Sequence, residues 1–185
     1  MNHSFAIKLT AIFSFVLTSL SFNASAQNIT GDEIKTQFVN DWERAKAYTL
    51  DYLNTMPADK YSFKAVDSIR SFAQQMLHLA GGNVNLIMFA SGQKIDWPGR
   101  GLENSPTAQN KDSVVYYVTK SYDFAIASIK SFDPSKFGEL AGPGKDKVTR
   151  FALFLKAFEH QTHHRGQTTI YIRLLGIRPP NERLF

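Results

Sequence analysis

The sequence predicts an all-α protein, a four-helix bundle preceded by a cleavable signal peptide. Three observations predict it. Apolar residues recur at helical spacing in four separate stretches. Breaks rich in glycine and proline divide those stretches. No segment of any length alternates with the two-residue period of a strand. Four helices joined by such breaks bury their apolar stripes most simply against one another.

The chain has 185 residues. Its first 26 positions read as a signal peptide rather than as part of the domain. Met1 to Lys8 carries one positive charge, Leu9 to Phe22 is an apolar run, and Ala24-Ser25-Ala26 is a small-x-small cleavage site. The run is short for a membrane span, and a retained N-terminal anchor is the alternative reading. The helical domain is expected over 27–185, exported to a periplasmic or extracellular space, with no stable membrane span after processing.

In the first helix, Thr30-Gly31-Asp32-Glu33 has capping-box spacing. Ile34, Phe38, Trp42, Ala45, Thr49 and Tyr52 follow as its stripe, and Met56-Pro57 ends it. Ala58 to Ala65 is a connector. Asp67 or Ser68 is expected to cap the second helix, whose stripe is Phe72, Met76, Leu79, Leu86 and Ala90 and whose end is Ser91-Gly92. Gln93 to Gln109 is a long aperiodic loop with Trp97-Pro98-Gly99 and Ser105-Pro106, of a length that is often functional. The third helix is expected from about Asp112 to Phe132, with Val114, Val118, Tyr122, Ala125 and Ile129 inward. After a break over 133–144, the fourth runs from Val148 to a glycine stop at Gly176, with Pro179-Pro180 beyond.

Composition excludes several functions. There is no cysteine, hence no disulfide framework, thiolate nucleophile or covalent haem attachment. The net charge of +5 and pI near 9.4 raise nucleic acid as a partner. The basic residues are scattered singly among acidic ones, which reads as a solvated cationic surface, so no nucleic-acid partner is expected. The expected partner is a small-molecule ligand or substrate, with a homodimer as an option.

The chemistry is concentrated in the fourth helix. Leu153, Ala157, His160, His164, Gln167, Tyr171 and Leu174 step by three and four and so form one expected buried seam. His160 and His164 lie one turn apart on it, where a buried polar pair needs partners. A metal ion would serve both rings, although the spacing fits a hydrogen-bonded polar pair equally well. His163 lies about 100° round the helix from His164 and should face away. A third imidazole could come from His78, on a second-helix face with Gln75, Gly82, Asn85 and Phe89, where Gly81-Gly82 allows close approach. Taken alone, His78 reads more often as a partly buried histidine than as a ligand. Three imidazoles could hold zinc, nickel or iron and leave a position open. The zinc-protease pattern His-Glu-x-x-His and the di-iron pattern Glu-x-x-His are both absent.

The run His160-Gln161-Thr162-His163-His164-Arg165-Gly166-Gln167, with Tyr171-Ile172-Arg173-Leu174-Leu175-Gly176-Ile177 and Pro179-Pro180, resembles the signature of the DinB-like superfamily. Phe72-Ala73-Gln74-Gln75-Met76-Leu77-His78 is similar to that family's second-helix histidine segment. The resemblance implies a metal-binding four-helix bundle with one divalent ion on His78, His160 and His164. It also implies supporting roles for Arg165 and Gln167; Tyr171 or Gln167 is expected to orient a substrate. Some members are thiol-dependent transferases acting with bacillithiol or mycothiol inside the cell. This chain carries an export signal, so metal binding carries over and that co-substrate does not. Two function classes follow: a metal-dependent transferase or hydrolase that activates a water or thiol, or a non-catalytic, stress-related binder of metal or a small ligand.

Overall fold

The structure, a computed structural model, describes residues 28–185. The expected signal peptide over 1–26 lies outside the described residues. Among the described residues, four long helices account for the architecture: α1 (Gly31–Thr55), α2 (Phe72–Ser91), α3 (Lys111–Lys130) and α4 (Arg150–Leu174). The central packing is of α2 against α4 and α3; α1 lies mainly on α3, with a smaller contact to α4. Two two-residue strands, β1 (Leu140–Ala141) and β2 (Val148–Thr149), pair antiparallel just before α4. They are too short to show a strand period. The fourth helix consequently starts at Arg150, capped by Thr149, rather than at Val148.

Helix starts follow their capping chemistry. Thr30 and Glu33 form the reciprocal pair that their spacing predicts, the Thr30 N–H donating to Glu33 Oε2 at 2.7 Å. For α2 the expected cap at Asp67 or Ser68 is corrected to Ser71. Three residues after Asp67 and Ser68 stand Arg70 and Ser71, which cannot close a capping box, whereas Gln74 stands three after Ser71. The Gln74 side chain accepts from the Ser71 N–H at 2.9 Å. The segment 62–70 is thereby left as a loop against the start of α2, held where the Phe72 N–H donates to the Phe63 carbonyl. α3 is capped by Asn110 and begins one residue earlier than expected. At the far end of α4, Gly176 adopts φ 73, the left-handed conformation that stops a helix.

Trp42, Tyr122, Phe72, Phe154, Leu53 and Met76 are fully buried, each contributing about 1.5–3 kcal/mol by removal of apolar surface from water. The expected α4 seam needs correction at its C-terminal half. Leu174 is 58% exposed and Gln167 is exposed, while Gln161, Arg165, Thr168 and Ile172 are buried. Gln161 and Arg165 are interior because other helices partner them, and Thr168 donates to the Arg165 carbonyl of its own helix. Tyr122 Oη donates to Gln161 Oε1 at 2.8 Å and pairs with Thr49 Oγ1 at 2.7 Å. Arg165 Nη1 donates to the same Gln161 oxygen at 2.7 Å, and its guanidinium lies over the Tyr48 ring, 4.7 Å from the centroid. A stripe judged by hydrophobicity alone misses a face whose polar groups are fully partnered.

Candidate metal centre

His78 projects from α2, and His160 and His164 from α4. The two helices approach closely because residue 82 has no side chain: a Cβ there would collide with the His160 ring. Ring centroids lie 5.3 Å apart for His78 and His160, 4.5 Å for His78 and His164, and 4.4 Å for His160 and His164. One nitrogen from each ring lies within 4.8 Å of the other two. Around a tetrahedral zinc with 2.0–2.1 Å bonds that separation would be roughly 3.4 Å, a difference of the size that side-chain torsions absorb. No other group of three such side chains with this convergence occurs among the described residues.

The electrostatics favour neutral rings with available lone pairs. Burial, and then the neighbouring His78, lower the His160 pKa to about 4. Burial, then His160 and His78, lower that of His164 to about 3. His160 Nδ1 is buried without a hydrogen-bond partner, a costly position for a polar atom unless something binds the ring.

Two further side chains orient the rings. Glu103, in the loop between α2 and α3, places Oε1 3.2 Å from His78 Nδ1. An Nδ1–H donated there leaves Nε2 free to ligate, the carboxylate–histidine arrangement common behind metal ligands. Burial alone would raise the Glu103 carboxyl, but its own backbone N–H, His78 and Arg70 together hold it below the usual carboxylate value. The Gln75 amide lies 2.8 Å from His164 Nδ1 and also contacts Gln167, whose own amide reaches His163 Nε2 at 2.9 Å. An amide's two ends are isosteric. With Gln75 Oε1 turned to the ring, His164 Nδ1 donates and Nε2 stays free; Gln167 then donates to Gln75 and accepts from His163.

Sequence reasoning missed Glu103 and Gln75 as ring-orienting groups. The aperiodic 93–109 loop was the one signal for Glu103, and the loop reaches the site through Gly99 and Gly101, both at positive φ. Arg165, expected to support the site, instead turns toward Tyr48 and Thr49 of α1 and joins the core network. Tyr171 is 5% exposed and donates to the Arg70 carbonyl at 2.7 Å, so its hydroxyl holds backbone. Gln167 does lie beside the rings, and His163 is exposed as its helical angle implies. Two cavities border the cluster. One, of about 380 Å³, is lined by His78, His160, Gly82 and the Gly99–Glu103 loop. The other, of about 730 Å³, lies between residues 64–70 and α4 and meets the cluster through Gln75 and Gln167.

A four-helix bundle that brings three imidazoles together from two helices, with one nitrogen of His78 held by Glu103 and one of His164 by Gln75, defines a class of protein able to bind a transition-metal ion. A model of the DinB family matches residues 27–183, and the chain belongs to that family. Solved structures that share the fold include two DinB-like proteins. A DinB-like protein from Bacillus cereus aligns with TM-score 0.67 and 16% identity, over 79% of this chain and 95% of that one. A DinB-like protein from Bacillus subtilis, YjoA, aligns with TM-score 0.60 and 18% identity, over 80% of this chain and 96% of that one. No curated protein matches the sequence.

Proposed function

We propose that this chain binds one divalent ion (zinc, nickel or iron) on His78, His160 and His164 and uses the open side of that site in a transferase or hydrolase reaction. The observation that supports it is the convergence of three imidazole nitrogens within 4.8 Å of one another. The donor set suits these borderline ions and leaves coordination positions free. Bound there, such an ion supplies the Lewis acidity that makes a water or thiol nucleophilic near neutral pH. The protein's own contribution is orientation. Glu103 sets the His78 ring, Gln75 sets His164, and Gly82 lets α4 seat His160 against α2. The Gly99–Glu103 loop screens one side of the cluster, and the 64–70 cavity leaves room for a small molecule on the other.

The test is elemental analysis of the protein purified without a histidine tag, followed by cobalt substitution. One ion per chain is expected, with a cobalt spectrum that changes when thiols or small anions are added. A spectrum indifferent to every ligand would make the site structural. Ligand binding without turnover of electrophile or ester substrates would favour the non-catalytic reading, which has its own support. Glu103, the carboxylate at the cluster, is already engaged by His78 and is not free for acid–base work. The export reading belongs to the same proposal: the mature chain begins at Gln27 in the periplasm or outside the cell. N-terminal sequencing from the native host checks it, and an intact Met1 in the cytosol would refute it.

A further inference from the structure

We propose that the cavity between residues 64–70 and α4 is a subsite for a small molecule bearing a carboxylate, clamped by the Arg70 guanidinium beside the three histidines. Arg70 immediately precedes the Ser71 cap of α2, and its backbone is fixed, because its carbonyl accepts from the buried Tyr171 hydroxyl at 2.7 Å. The guanidinium therefore starts from a rigid point. Its donors are almost unspent. The carboxylate near it is Glu103, with Arg70 Nη2 4.0 Å from Oε1, at the outer limit of an ion pair. That same oxygen is the one 3.2 Å from His78 Nδ1. Arg70 makes no side-chain hydrogen bond to any described residue, and its side chain is 43% exposed. A planar fork of five donors in that state matches a carboxylate in two-pronged fashion.

The walls say what kind of carboxylate. The cavity, about 730 Å³, is of the size that holds small organic ligands. Ile69 and Ile170 line it and are 37% and 55% exposed, so apolar surface awaits a cover inside a concavity. Gln75 and Gln167 form its polar end toward the histidines. Lys64 and Asp67, both exposed at the rim, are opposite in charge, which leaves Arg70 as the cavity's net cation. Acid at one end and apolar body along Ile69 and Ile170 describe an organic acid better than an inorganic anion. The direction in which such a ligand presents its other groups rests on the metal reading above; recognition by Arg70 does not.

Calorimetric titration with hexanoate, its neutral isostere hexanamide, acetate and inorganic phosphate tests this on the zinc-loaded and chelator-treated protein. Hexanoate should bind the wild type in both preparations, and Arg70→Gln should bind it about tenfold or more weakly, the loss expected for a charge-assisted hydrogen-bonded pair. Hexanamide should show the same deficit on the wild type, and Ile170→Ser should weaken hexanoate while leaving acetate unchanged. His78→Ala, which strikes the ligand set and leaves Arg70 in place, should lose zinc and keep its hexanoate affinity, which separates this site from the ligand set. Equal hexanoate affinity in wild type and Arg70→Gln would overturn the proposal, since the acid would then bind without the guanidinium. Phosphate binding tighter than hexanoate, or no hexanoate binding at millimolar concentration, would also overturn it. Arg70-dependent binding in protein that holds no metal would sustain it even if the metal reading failed.

Discussion

At the residue scale, Glu103 shows how one side chain governs another. Its Oε1 fixes which nitrogen of His78 carries the proton. Glu103→Ala should therefore weaken zinc binding by about 10- to 100-fold, the usual effect of removing a ligand's hydrogen-bond partner. Glu103→Gln, which keeps an acceptor, should lose less. Competition with a chromophoric chelator measures both. Among the histidines, replacing His78, His160 or His164 by Ala should sharply lower bound metal, as read by mass spectrometry of the purified variants. His163→Ala should retain nearly the wild-type content, because that ring is exposed, and its hydrogen bond is to Gln167 rather than into the cluster. Equal metal content in all four variants would reduce the cluster to a polar patch.

At the element scale, the approach of α2 to α4 turns on two adjacent glycines with opposite expectations. A Cβ at Gly81 would meet nothing within 4 Å, whereas one at Gly82 would meet the His160 ring. Gly81→Ala should stabilise the protein by about 0.5–1 kcal/mol, the helix-interior difference between the two residues. Gly82→Ala should gain the same propensity and still lose metal, since the His160 ring must swing out to admit the methyl group. Thermal melts and zinc stoichiometry of the pair give the answer. Equal zinc in both variants would show that the helix spacing does not set the site. The glycine pair was legible in sequence as a place of close approach; which of the two mattered was not, because the difference depends on the rotation of α4 about its own axis.

For the whole molecule, the rings couple folding to pH. In the unfolded chain a histidine titrates near 6.5, whereas burial lowers His160 to about 4 and His164 to about 3 in the folded metal-free protein. Between those values the unfolded chain binds more protons, so stability rises with pH. The contribution is complete above about pH 6.5 and is lost progressively as pH falls toward the folded values. Melting temperature of chelator-treated protein should accordingly fall between pH 6.5 and 4, more steeply than in a His160→Phe, His164→Phe double variant. Identical slopes would mean that other groups govern acid denaturation. Zinc should raise the wild-type melting temperature most near neutral pH, where ions need not displace protons from the ligands.

Local chemistry was readable from the residues alone. Thr30 with Glu33 announced one helix start and Gly176 one helix end, because a cap involves neighbours a few positions apart. The pair His160 and His164 shared a face for the same reason, since helical geometry fixes the relation of residues i and i+4. The start of α2 was legible in principle through Ser71 and Gln74, although Asp67 and Ser68 competed for it. Contacts between distant segments required the tertiary structure. Glu103 reaches His78 across 25 positions, Gln75 reaches His164 across 89, and Tyr171 reaches the Arg70 carbonyl across 101. No periodicity encodes such meetings. Nor could sequence show that Arg165 and Gln161 turn inward, away from the histidines beside them. Their burial is tolerable only because Tyr48, Thr49 and Tyr122 wait on other helices, and that complementarity exists only once the bundle has closed.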